Sequence, residues 1–171
     1  MANQTNQYFD IIGKVQNWRR LIGLPVRNNT FLPTNETFIE PSKEEKELAL
    51  KLILEESEEL KEAIQSNNFI EIADALGDLI FVIVQMADIW GMNLYEIVHI
   101  VYESNLSKIC NSYEEALASQ KHYSEKGIKT IIQSIDMFNY KIVRASDGKV
   151  LKSCYFKEPN FSKLIKNETE S

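Results

Sequence analysis

Residues 48–65, LALKLILEESEELKEAIQ, and residues 68–90, NFIEIADALGDLIFVIVQMADIW, decide how this chain is read. The first stretch carries Glu55, Glu56 and Glu59; the second carries Glu71, Asp74 and Asp78 ahead of the apolar run LIFVIV. At 3.6 residues per turn Glu56 and Glu59 share a helix face, and so do Glu71, Asp74 and Asp78. Each helix therefore offers a carboxylate stripe beside apolar neighbours. Carboxylates gathered in a packed core repel one another and lose hydration, a cost that protons or bound cations must offset. Hard divalent ions take oxygen ligands, and Mg²⁺ commonly arrives with phosphates. An EExxE by itself is usually a solvated helix face. The second group, with Asp78 set against LIFVIV, turns the reading toward a divalent-metal site.

Working outward, Tyr8, Phe9, Ile11, Ile12, Val15, Trp18, Leu21 and Ile22 recur with helical spacing until Gly23 and Pro25 stop them. Arg19 and Arg20 fall on what reads as the surface of this first helix. The stretch RNNTFLPTNETFIEPS, ending at Ser42, has turn formers and no period, and is longer than the connections compact domains ordinarily use. It suits a segment that covers a site or crosses to a partner subunit. Ser42 caps a second helix running to about Gln65, with Ala49, Ile53, Leu60 and Ile64 as its core stripe. Glu55, Glu59 and Glu62 lie opposite that stripe, and Glu56 sits at the border.

The third helix, from about Asn68 to Trp90, is apolar around most of its circumference after Leu79, which makes it the central, buried one. Gly91 closes it. A fourth helix follows from Asn93 toward Lys108, and Ser112 opens an amphipathic fifth that Gly127 ends. The period then changes. Thr130–Ile135 and Tyr140–Arg144 read as strands, and Lys149–Ser153 after a Ser-Asp-Gly turn completes a two- or three-stranded meander. The expected fold is mainly α: a four-helix bundle over residues 1–110, then an appendage over 111–171 of one more helix and a small β-meander.

Composition bounds the function. With 44% apolar and 26% charged residues, the 171-residue chain suits one globular domain with a small appendage rather than a disordered segment. A formal charge of −6 argues against nucleic acid as a partner. The opening MANQTNQYFD lacks a secretory pattern, and Leu79–Ala87 falls well short of the roughly 20 apolar residues of a membrane span, so a cytoplasmic protein with no membrane partner is expected. Cys110 and Cys154 lack zinc-ligand spacing and fit a reducing compartment. His99 and His122 stand in no HxxxH or Cys-paired pattern, and no GxxxxGKS or GxGxxG is present. Phosphate binding, where present, is therefore expected by metal and side chains rather than by a glycine cradle.

The run from Leu52 to Lys108, with EESEE, EIADALGDLIFV, GMNL and SNLSK, resembles the MazG-like branch of the all-α nucleoside triphosphate pyrophosphohydrolases. The likeness extends through DGKVLKS to the stretch Tyr155–Phe161. It implies a four-helix unit assembled as a homodimer or dimer of dimers, whose EExxE and ExxD pairs bind Mg²⁺. The implied activity is hydrolysis of a nucleoside triphosphate, above all a deoxynucleoside triphosphate, to the monophosphate and pyrophosphate, in nucleotide-pool sanitation. Mn²⁺ is a possible substitute. The first motif falls on Glu55, Glu56 and Glu59 without change. The family Asp falls on Asp78, but the matching Glu position is Ala75, and Glu71-x-x-Asp74 stands one turn earlier. Asp74 replaces the missing ligand from the same face, with Glu71 either a ligand or a support.

The metal set so implied is Glu56, Glu59, Asp74, Asp78 and Glu71, with Glu55 or Glu59 orienting or deprotonating a water. Asn105 and Lys108, three apart, offer a polar contact and a cation toward phosphate. Lys149, Lys152 and Tyr155 flank the DGKVLKS turn as a lid over the phosphates or as a structural hairpin, and Trp18 faces either a nucleobase or the core. Two alternatives stand beside this reading: a phosphoribosyl-ATP pyrophosphohydrolase, and a non-catalytic helical dimerisation module whose acidic stripes only solubilise it.

Overall fold

Asp10, Ser42 and Asn68 each lend a side-chain oxygen to the backbone amide three residues on, and each opens a helix: α1 (Ile11–Leu21), α2 (Lys43–Gln65) and α3 (Phe69–Ile89). At Ser42 the exchange is reciprocal, because Glu45 reaches back to the Ser42 amide at 2.8 Å. Gly23 and Gly91 take φ of 76° and 65° directly after α1 and α3, a conformation that costs glycine nothing. This computed structural model describes residues 10–27 and 40–164. Tyr8, Phe9 and most of the long loop before Ser42 lie outside the described residues.

Among the described residues the fold is mainly α, with five helices and one two-stranded antiparallel sheet, as the sequence led us to expect. The chain divides into two units, Met1–Leu94 with Ser162–Ser171, and Tyr95–Phe161. In the first, α3 packs against both α1 and α2. Ile12, Val15 and Val84 form one core, flanked by Phe81 and Leu94. Along α2 the fully buried side chains are small, Ala49 and Ala63, and α3 contributes Ala75 and Val82. Ile64, read as part of the α2 core stripe, is instead 55% exposed; the stripe is rotated toward Ala63. Nor is α3 buried all round. Phe69, Ile70, Leu76 and Ile80 stand exposed, because α1 and α2 cover only two sides of it.

Arg19 corrects the sequence reading most sharply. It is buried, not on the surface, and its Nε lies 3.0 Å from Asp88 of α3, which is itself fully buried. Gln16 donates to the same carboxylate at 3.0 Å, and the Arg27 amide approaches it at 3.4 Å. Arg19 also donates to the Pro25 carbonyl, while Arg27 reaches the Ile89 carbonyl and the Glu45 carboxylate. The turn after α1 is thereby pinned to the C-terminal end of α3 and the N-terminal end of α2. Burial holds the Asp88 carboxyl above its ordinary range in spite of these donors.

In the second unit α4 (Leu94–Leu106, its first residue counted with the first unit) is followed by α5 (Tyr113–Glu125), β1 (Thr130–Ser134) and β2 (Tyr140–Arg144). Cys110, Ala116 and Ile142 make its core, with Tyr123, Ile132, Tyr140 and Leu151 packed around them. Lys149–Ser153 is not a third strand. It touches β2 through the single bridge Val143–Val150 and two backbone bonds, from the Leu151 amide to the Ile142 carbonyl and from the Arg144 amide to the Lys149 carbonyl. A short 3₁₀ turn (Ser162–Leu164) closes the described chain.

Cutting one partner of the buried pair strands the other. Arg19→Met and Asp88→Leu should each destabilise the protein by about 3–5 kcal/mol in urea unfolding, and the double variant should recover most of that loss. Asp147, bound by Arg144, has its carboxyl held down to about 2. Since a depressed carboxyl stabilises the fold above its unfolded value, this contribution should persist through mildly acidic pH and vanish as pH falls through that range. An NMR titration of the Asp147 carboxyl checks it.

Candidate metal centre

Glu56 is the side chain on which the acidic residues converge. It projects from the middle of α2, half-buried, and one of its oxygens, Oε2, is buried with no hydrogen-bond partner. Its carboxyl is pushed above the ordinary range, first by burial and then by the repulsion of Glu59, Asp78, Glu55 and Asp74. Four carboxylates from two helices thus act on a fifth. The helical spacing of the sequence produces this: Glu56 and Glu59 lie one turn apart on α2, Asp74 and Asp78 one turn apart on α3, and the two helices pack together. A desolvated, unpartnered carboxylate oxygen surrounded by like charge is an arrangement that a divalent cation would relieve.

The remaining members are more open. Glu59, Asp74 and Asp78 are exposed, and so is Glu71, whose backbone amide receives the Asn68 cap. Glu71 is not among the groups that act on Glu56. Glu55 is half-exposed and pairs with Lys51 at 3.4 Å. Ala75, the position at which the resemblance calls for a Glu, is buried. Among the described residues no three acidic, cysteine or histidine side chains are gathered into a ready-made ligand set. The donors are nonetheless all carboxylate oxygens, which suit Mg²⁺ or Mn²⁺ and not zinc. The orphaned Glu56 oxygen is what such an ion would satisfy, with Glu59, Asp74 and Asp78 exposed around it.

Trp18 meets Phe81 edge to face at 5.2 Å in the first unit and remains 39% exposed, so it packs on the core with one edge open. In the second unit Lys108 donates to Asn105 at 2.5 Å, and Asn105 donates to the Val101 carbonyl. Lys152 pairs with Glu158 and lies 4.2 Å over the Phe156 ring, while Tyr155 is exposed. Lys149 contributes backbone groups to the turn, its amide to Asp147 and its carbonyl to Arg144.

Sequence reasoning passed over the other half of SNLSK. Ser104 donates to the Lys157 carbonyl at 2.8 Å, Ser107 accepts from the Lys157 amide, and Ser153 donates to the Ser107 carbonyl. The serines strap residues 153–157 to the end of α4, leaving Asn105 exposed and Lys108 half-exposed. Serine at i and i+3 was the available signal. Among the described residues no helix is long and apolar enough to cross a membrane.

Residues 28–105 match the family model of phosphoribosyl-ATP pyrophosphohydrolase. An uncharacterised protein of Acanthamoeba polyphaga mimivirus is 32% identical over 108 residues, covering 60% of this chain and 43% of that protein. The chain thus spans less than half the length of the curated relative it matches. The matched segment contains both carboxylate stripes, and over it the chain is similar to the phosphoribosyl-ATP pyrophosphohydrolase family, which belongs to the MazG-like all-α nucleoside triphosphate pyrophosphohydrolase superfamily.

Proposed function

We propose that the chain is a Mg²⁺-dependent pyrophosphohydrolase that splits a nucleoside triphosphate, in the first place a deoxynucleoside triphosphate, into the monophosphate and pyrophosphate. The observation that carries this reading is the buried, unpartnered Oε2 of Glu56 amid Glu59, Asp74 and Asp78. The family match over both acidic helices supports it. Glu56, Glu59, Asp74 and Asp78 would hold the ion, with Glu71 in support at the start of α3. Bound there, Mg²⁺ or Mn²⁺ would neutralise phosphate oxygens and render phosphorus more electrophilic. Glu59, exposed beside Glu56, and Glu55, one residue before it, are the carboxylates able to orient a water and take its proton. In the second unit, Lys108, Asn105, Lys152 and Tyr155 carry polar groups of the kind that bind phosphate, and in the first Trp18 is an aromatic edge offered to a base. We place the enzyme in the cytoplasm, in nucleotide-pool sanitation, as a homodimer or dimer of dimers. Exposed Leu50, Leu54, Phe69 and Ile70 favour self-association, since so much apolar surface is unusual on a monomer.

Phosphoribosyl-ATP is the second candidate substrate, favoured by the description of the matching family. A panel of dNTPs, NTPs and phosphoribosyl-ATP, read by pyrophosphate release with Mg²⁺ and Mn²⁺, decides between them. Glu56→Gln with Glu59→Gln should reduce that release about a hundredfold or more without loss of helical signal. Survival of activity in the double variant would remove the metal site, and a wild type inert on the whole panel would leave a helical dimerisation module. Glu56→Gln alone should raise Tm in the presence of chelator, because it removes a desolvated charge from a cluster of its own sign. Added Mg²⁺ should raise the Tm of the wild type and not that of Glu56→Gln; equal shifts would place the ion elsewhere.

A further inference from the structure

One turn from the carboxylates, between α2 and α3, lies a cavity of about 80 Å³. Leu52, one turn before Glu56, and Val82, one turn after Asp78, begin its walls, and Leu48 and Met86 continue them away from the acidic cluster. Its lining is mostly apolar. Three side chains in it carry polar groups able to recognise a ligand: Arg19, Glu45 and Gln85. Arg19 is committed to Asp88 and the Pro25 carbonyl, and Glu45 to Arg27 and the Ser42 amide. Gln85 is half-buried and makes no hydrogen bond among the described residues. The carboxamide of a residue that lines an apolar pocket, bound to no other described protein group, is an unspent pair of adjacent donor and acceptor.

We propose that Gln85 is a specificity-determining residue, its carboxamide hydrogen-bonding the pairing edge of the substrate's base while the phosphates lie at Glu56 and Asp78. The inference rests on the pyrophosphohydrolase reading and deepens it. Gln85 follows Asp78 by seven residues, which returns it to the same helix face about 10 Å along the axis. An extended nucleoside triphosphate covers such a span between its phosphates and its base. Each nucleobase presents a donor beside an acceptor on its pairing edge, in an order that differs between A or C and G or T, so a carboxamide held in one orientation complements some bases and not others. Apolar walls contact the part of the ring that enters, and a few placed polar groups then fix orientation. Because a cavity of about 150 Å³ is what encloses a whole benzene ring, this smaller one takes a base edge first and leaves the sugar outside.

The test uses the full chain with Gln85→Leu and Gln85→Glu. Steady-state kinetics are measured on the four dNTPs and on inorganic tripolyphosphate, which has no base. Saturation-transfer NMR then follows the four deoxynucleosides without metal or phosphate. Gln85→Leu should raise KM for the preferred dNTP about tenfold, as loss of a neutral hydrogen-bonded pair does, while kcat changes by less than about twofold. Tripolyphosphate hydrolysis should be unchanged, and Gln85→Glu, which loses the donor, should reorder the dNTPs. Unchanged KM and ranking in both variants would overturn the role of Gln85 and leave the pyrophosphohydrolase reading intact. If the wild type hydrolyses nothing, that reading falls and the NMR decides alone. A nucleoside signal present in the wild type and lost in Gln85→Leu upholds the base contact; one absent from the wild type, or surviving in the variant, overturns it.

Discussion

Repulsion between carboxylates, held in place by apolar packing, is the constraint on which the first unit depends. Nothing in the local chemistry of α2 and α3 draws Glu56, Glu59, Asp74 and Asp78 together; their charges push the two helices apart. Burial along the same interface works against that push. Ala49, Ala63, Ala75 and Val82 are removed from water along it, and each buried methylene stabilises the pairing by about 0.8 kcal/mol. The strain is concentrated at Glu56, where one oxygen is out of reach of both water and any donor. A residue that weakens the fold where chemistry requires it is the usual signature of a functional site.

A second charged group, Arg19 with Asp88, solves the opposite problem. Here a buried carboxylate has a guanidinium at 3.0 Å and a Gln16 amide besides, so donors of the protein offset part of its burial cost. The two sites lie on the same helix, Asp78 and Asp88 ten residues apart, and the contrast between them is informative. Asp88 is the satisfied carboxylate and belongs to structure. Glu56 is the unsatisfied one and calls for a partner that the chain does not supply. Between the two runs the cavity that Gln85 lines, so that a charge-paired end and an unpaired acidic end share one helix interface.

Much of this was legible in residues. The Ser42, Asn68 and Ser112 caps were readable because an oxygen-bearing side chain ahead of an apolar-periodic run has few other uses, and Gly91 and Gly127 mark stops only glycine makes cheaply. The carboxylate pairs followed from spacing alone. Arg19 was misread because a basic residue beside a second one, Arg20, looks like a wet face; the partner that buries it is 69 residues away on α3. Separation in sequence, 46 to 53 residues, likewise hid Ser104 and Ser107, whose partners at 153–157 no local pattern could supply.

By itself, then, the sequence determined the helices, their ends, the change to strands near Thr130, and which acidic side chains share a face. Those features arise from periodicity, capping and turn chemistry, all acting within a few residues of the chain. Tertiary structure alone decided which carboxylate loses its water, which arginine is buried, and which amide faces a cavity. Desolvation and the pairing of charges depend on what stands opposite, and what stands opposite Glu56, Arg19 and Gln85 comes from other helices.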